Sequence, residues 1–184
     1  MISISKSYEI LKTNLKNKNL VFHSIAVAYV MKAVANKLNF DKEKWFITGL
    51  LHDIDYEKTK NNPKLHSIVS EQILMDYDVD EDIIYAIKAH TGNVPLKREI
   101  DKHLWAIDPL TGLIVAAALM NPDKRISSLK LKSFKKKFKS RSFAKGANRQ
   151  QIASCSTFGM DLNNFLELSL CVMAEHQAEL GFTE

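Results

Sequence analysis

The sequence predicts an all-α fold, and three observations carry that prediction. Apolar residues recur at three-to-four spacing through nearly every segment. Acidic or short polar residues stand where helices would start, and Gly, Asn or Pro where they would stop. No stretch alternates apolar and polar residues strongly enough to read as a strand. With 184 residues and 46% apolar content the chain can bury one substantial core, so a single domain over 1–184 is expected.

Val21, Phe22, Ile25, Ala28, Val30, Met31, Val34 and Leu38 follow helical spacing and put His23 on or beside an apolar face near the helix start. Asp41 is a suitable N-cap for the next helix, which turns apolar at Trp45, Phe46, Ile47, Leu50 and Leu51 and delivers His52 and Asp53 at its inner end. Residues 55–63 are polar and close on Pro63, a loop composition. A third helix is expected over about 64–77, with His66 in its first turn. Asp80, Glu81 and Asp82 suit a helix N-terminus, Ile83, Ile84 and Ile87 continue the spacing, and Thr91-Gly92-Asn93 ends it, so His90 falls in the last turn. Residues 101–120 are helix-prone, but Asp108-Pro109 interrupts them. A residue before proline avoids the α region, so either the helix kinks there or Asp108 caps a new one. Further helices are expected around 126–139, 148–156 and 161–180.

The longest apolar stretch, 110–120, is well short of the roughly 20 residues that cross a bilayer, so no membrane span is expected. The first 20 residues lack both a continuous apolar core and a small-residue cleavage site, which argues against a signal peptide and for a cytoplasmic protein. Cys155 and Cys171 lack CxxC spacing and read as buried free thiols.

Charge is segregated. Residues 124–149 hold eleven Lys and Arg and no acid, leaving 15 bases against 21 acids elsewhere, so one segment produces the overall +5. Such a patch can steer phosphorylated ligands, bind an acidic partner or attract nucleic acid nonspecifically. Leu131, Phe134 and Phe138 give it an amphipathic helix with lysines outside. Gly146, flanked by Lys145 and Arg149, could bring backbone amides and a guanidinium to a phosphate. Aromatic interleaving for stacking single strands is thin, so nucleic acid is the weaker partner reading beside a small phosphorylated substrate.

Four of the six histidines and two aspartates run in the order His23, His52-Asp53, His66, His90, Asp108. Each offers a lone pair to a divalent cation, and each falls at or near a helix end. A mixed imidazole and carboxylate set favours iron or manganese, with nickel, cobalt or zinc as alternatives, over the all-oxygen shells of magnesium and calcium. His103 and His176 fit no such position.

The segments around His23, Leu51-His52-Asp53-Ile54-Asp55 and Asp108 resemble the HD superfamily of metal-dependent phosphohydrolases, helical proteins named for that His-Asp pair. The resemblance covers about residues 20–120, leaving a basic helical extension over about 121–184. It implies an HD-domain helical bundle in which His23, His52, Asp53 and Asp108 bind one ion. It also implies a second ion on His66 and His90, with Asp53 bridging, as in the branches that hold two. Those branches include HD-GYP phosphodiesterases, HD-type diadenosine tetraphosphate hydrolases and relatives of myo-inositol oxygenase. This chain lacks a Gly-Tyr-Pro motif and looks most like a compact bacterial and archaeal group of predicted HD-superfamily hydrolases.

The implied activity is hydrolysis of a phosphate ester or anhydride of a nucleotide or small phosphorylated metabolite, by a phosphomonoesterase or phosphodiesterase with metal-activated water as nucleophile. Asp55 and Lys58 are candidates beside Asp53 for the catalytic groups, and Lys97, Arg98, Lys145 and Arg149 for phosphate contacts. Two other readings use the same residues: a di-iron oxygenase of the myo-inositol oxygenase-like branch, and a nucleotide or nucleic-acid binding module with a structural metal.

Overall fold

A computed structural model describes residues 2–182, and every regular element among them is helical. In chain order they are α1 (Ile4–Asn14), α2 (Lys18–Leu38), α3 (Lys42–Leu51), α4 (Tyr56–Thr59), a 3-10 turn (Pro63–Leu65), α5 (Ile68–Leu74), α6 (Glu81–His90), α7 (Glu99–Leu119), α8 (Leu131–Lys139), α9 (Arg149–Ala153), a second 3-10 stretch (Ser154–Phe158) and α10 (Leu162–Glu175). Ser3, Asn17, Asp41, Asp80, Asn148 and Asp161 each accept a backbone N–H from the first turn that follows, satisfying donors that a helix start leaves unpaired.

The centre is α2, α3 and α7. The most extensive pairing is α2 against α3, and α7 lies across α2 and α6. Gly49 makes the first of these possible, because a Cβ there would stand 2.7 Å from the Ala28 Cα. The close approach brings the end of α3 against the first half of α2, and so brings His52 beside His23. A single cluster of buried apolar side chains runs from Ile10 to Leu180 around this core. His52, Asp53, Asp55 and His90 are buried in it, against the rule that such groups stay outside unless paired.

Several elements depart from expectation. The helix over Asp108-Pro109 neither ends nor restarts: α7 runs through both residues. Pro109 has no N–H to give the Trp105 carbonyl one turn back, and the Gln151 side chain of α9 donates to that carbonyl at 2.7 Å instead. The helix expected over 64–77 is broken. His66 is extended, at φ −60° and ψ 135°, Ser67 is left-handed at φ 67°, and α5 starts only at Ile68. Side-chain bonds at this break displace the helical ladder: the Asn93 amide donates to the His66 carbonyl and the Ser67 hydroxyl, which also meets the Thr91 hydroxyl.

The polar stretch 55–63 holds the short α4 within its turns. Residues 126–130 are turns rather than the start of α8, because the Asp123 carboxylate takes the Arg125 N–H and the Ser128 hydroxyl. α10 stops at Glu175, short of 180. Cys155 is buried as expected, but Cys171 is exposed. No helix among the described residues is long and apolar enough to cross a membrane.

Candidate metal centre

His23 projects from α2, His52 and Asp53 from the turn ending α3, His66 from the extended link before α5, His90 from the last turn of α6 and Asp108 from the middle of α7. The two Asp53 oxygens divide the cluster. Oδ2 lies 3.4 Å from His52 Nε2 and 3.8 Å from His23 Nε2, while Oδ1 lies 3.2 Å from His66 Nε2 and 3.4 Å from His90 Nε2. Asp108 Oδ1 joins the first group, 3.0 Å from His23 Nε2 and 3.8 Å from His52 Nε2.

All four histidines present Nε2 inward, because each Nδ1 is already engaged. His52 Nδ1–H donates to the Gly49 carbonyl at 2.7 Å and His90 Nδ1–H to the Ile87 carbonyl. His66 Nδ1–H donates to Asp55 Oδ1 at 2.8 Å. His23 Nδ1 meets the Thr111 hydroxyl at 3.2 Å, and that hydroxyl donates to the Asp108 carbonyl, so it accepts from the ring. An Nδ1–H held this way fixes the tautomer and orients the Nε2 lone pair, the usual outer arrangement around metal-binding imidazoles.

A family model described as HD domain matches residues 20–127, the span that carries all six of these side chains. The chain belongs to the HD domain family. HD domains bind divalent metals, and here the groups His23–His52–Asp108 and His52–Asp53–His90 each bring one donor atom per residue within 4.8 Å of the others. Curated relatives of this HD domain include the proteins named Ribonuclease Y of Oleidesulfovibrio alaskensis, 31% identical over 116 residues, and of Desulfotalea psychrophila, 30% identical over 95. The first alignment covers 61% of this chain and 22% of the relative, the second 52% and 18%. A third, Ribonuclease Y of Mycoplasma mycoides, is 38% identical over 87 residues, covering 45% of this chain and 20% of the relative. The chain thus spans about a fifth of the length of these relatives. No solved structure matches it.

The electrostatics of the HD residues fit a cation. His52 Nε2 is buried without a hydrogen-bond partner, a costly state for a polar atom and one that coordination removes. Burial alone would lower the His52 pKa, yet Asp53 and Asp108 outweigh it and raise it to about 9. At His66 burial is likewise outweighed, by Asp53 and Asp55, and the pKa rises to about 10. Burial would raise both carboxyls, but the surrounding imidazoles hold Asp53 and Asp108 below the usual carboxylate range. The pocket therefore demands positive charge. Protons on His52 and His66 supply it in the metal-free chain, and a divalent ion would displace them.

The other sequence candidates are placed differently. Asp55 is fully buried and accepts from both His66 Nδ1 and the Ser70 N–H, so it stands behind a candidate ligand and positions it rather than facing the cluster centre. Lys58 donates to the Asn14 side chain. Lys97 lies over the Tyr85 ring, and the Arg98 guanidinium is bound to Asp82 and Asp101. None of these three is brought to the cluster. Arg149 uses its five donors on the carbonyls of Phe138, Ser140, Phe143, Ala144 and Ala147, which leaves none for a phosphate. It organises the loop over 138–147 instead.

That loop borders the cluster. A groove of about 250 Å³ runs between His23, Asp108, Pro109 and Gly112 on one side and Ala144, Gly146 and Ala147 on the other. Exposed Lys145 belongs to the same loop. Thr111 and Gln151 were not singled out from the sequence. The carbonyl that Pro109 must free was a signal for a partner such as Gln151; nothing local marked Thr111.

Proposed function

We propose that this chain is a divalent-metal-dependent phosphohydrolase acting on a phosphate ester or anhydride of a nucleotide or small phosphorylated metabolite. The observation that carries this reading is the convergence of four imidazole Nε2 atoms on two carboxylates whose open side faces a groove walled by the basic segment. His23, His52, Asp53 and Asp108 would hold one ion, with His66, His90 and the other Asp53 oxygen holding a second. Iron or manganese suits this donor set. A bound divalent ion supplies Lewis acidity, polarising a phosphoryl oxygen and lowering the pKa of water.

The chain's own residues supply the rest. Gly49, Ile87, Asp55 and Thr111 lock the ring tautomers. Lys145, exposed between the groove-lining Ala144 and Gly146, would add positive potential where a phosphate enters. Cleavage of an RNA phosphodiester is the second reading, favoured by the name shared by the curated relatives and by the eleven bases of the segment 124–149, whose Ala144, Gly146 and Ala147 line the groove.

The test is release of phosphate or of nucleotides by chain purified anaerobically and loaded with Mn²⁺ or Fe²⁺, across nucleoside mono- and triphosphates and a short RNA, with oxygen uptake followed in parallel. The proposal expects hydrolysis that chelator stops and Asp53→Asn abolishes. Oxygen uptake without hydrolysis would move the assignment to a di-iron oxygenase. Nucleotide or RNA binding by a parent chain that turns nothing over, unchanged in Asp53→Asn, would move it to a binding module.

A further inference from the structure

Gly112 lies in the interior of α7, one turn after Asp108, and the helix gives no reason for a glycine there. Its φ is not among the positive values, and an added Cβ would meet nothing within 4 Å. A mid-helix glycine costs about 1 kcal/mol relative to alanine. Gly49 offers the contrast, since backbone packing demands it.

Gly112 is exposed, and the open space at its Cα belongs to two openings that meet at His23. It borders the groove beside Asp108 and also a larger cavity, about 620 Å³, whose wall includes His23. Much of that wall is apolar and in part aromatic: Phe22 from α2, Val115 and Leu119 from α7, and Leu180 and Phe182 after α10. Leu119 is 51% exposed, an apolar side chain turned to solvent at the cavity edge. Polar side chains enter the lining through Asn19, Asp123 and Lys124.

We infer that this cavity receives the nucleoside part of a phosphorylated substrate, with Gly112 keeping open the passage to His23 and Asp108. The size lies in the range of small-molecule sites. A sugar phosphate or inorganic phosphate would gain nothing from an apolar wall and would lose water against it. A base gains by laying its face on aromatic and aliphatic groups while a few polar side chains meet its edge and the ribose. The inference rests on the phosphohydrolase reading and narrows its substrate to nucleosides carrying phosphate.

The test is calorimetric titration of the metal-loaded chain with adenosine, which lacks phosphate, ribose 5-phosphate, which lacks a base, and AMP. Adenosine is expected to bind, and AMP to bind more tightly than either fragment. Gly112→Leu fills the cavity with a better helix former, so it should keep its fold by circular dichroism and weaken adenosine by roughly 10–100-fold, the scale of a lost base-stacking surface. Leu119→Asp, at an exposed position, should weaken it as well. No adenosine binding, or equal binding by Gly112→Leu and the parent, overturns the inference. Hydrolysis of AMP and ribose 5-phosphate at equal efficiency also overturns it while leaving the phosphohydrolase reading standing. Adenosine binding lost in Gly112→Leu, without hydrolysis of any phosphate ester, supports the nucleoside site and removes the phosphohydrolase reading.

Discussion

The two halves of the candidate metal centre are held in place by different physics. His23, His52 and Asp108 sit on or at the ends of α2, α3 and α7, and helix packing fixes their spacing, with Gly49 allowing α3 to lie directly on α2. In the second half His90 closes α6, but His66 sits on irregular backbone, pinned by the bond its ring donates to Asp55, by the bond its carbonyl accepts from Asn93 and by the contact of Ser67 with Thr91. The first half opens to the groove and the cavity; the second is backed by the buried Asp55 carboxylate. Packing sets the position where substrate would approach, and a polar network sets the position behind it.

The largest expected effect belongs to the residue the halves share. Asp53→Asn removes a charge that faces all four imidazoles, so metal content should fall to background, as read by elemental analysis. Asp55→Asn attacks only the hydrogen-bonded half. Loss of such an outer partner typically costs roughly 10–100-fold in metal affinity, so one ion should be released at lower chelator concentration while the other is retained. If both ions weaken alike, the halves are not independent.

Gly49→Ala attacks the packed half. Its Cβ would collide with α2 backbone at 2.7 Å, and overpacking of this kind costs about 1–3 kcal/mol, measurable as a lower denaturation midpoint. Little or no change would mean that α3 has room to slide.

The smallest effect lies outside both halves. His103, between the Trp45 and Phe158 rings, has its pKa lowered chiefly by burial. Above pH about 6.5 it is neutral in folded and unfolded chains alike, and its stability contribution is whole; as pH falls below 6.5 the unfolded chain takes up the proton first and stability drops. His103→Leu should therefore flatten the acid limb of a stability profile relative to the parent, and an unchanged limb would contradict the assignment.

The same contrast explains how much was legible in the sequence. His23, Asp53, His90 and Asp108 belong to regular helices or their ends, where three-to-four spacing of apolar neighbours tells which side faces inward. His66 was legible as a residue type in the right order, but not its backbone: Pro63 and the bonds to Asn93 and Asp55 join positions 11 to 27 residues apart, beyond any local period. That the helix runs on through Pro109 rather than restarting at Asp108 was hidden for a similar reason, because Gln151, 46 residues away from Trp105, takes the freed carbonyl. Arg149 looked like a phosphate ligand by its glycine and basic neighbours, yet the carbonyls of its own loop saturate it. Sequence pattern located the elements; partners distant in sequence decided what the side chains between them do.

The central claim is that these six side chains form one cation-binding site with two halves. It is tested most directly by elemental analysis of chain purified anaerobically without chelator, alongside His66→Ala and Asp53→Asn. The account predicts about two transition-metal ions per chain in the parent, about one in His66→Ala and none in Asp53→Asn. A parent that holds no ion and takes up none on titration with Mn²⁺ or Fe²⁺ would contradict it.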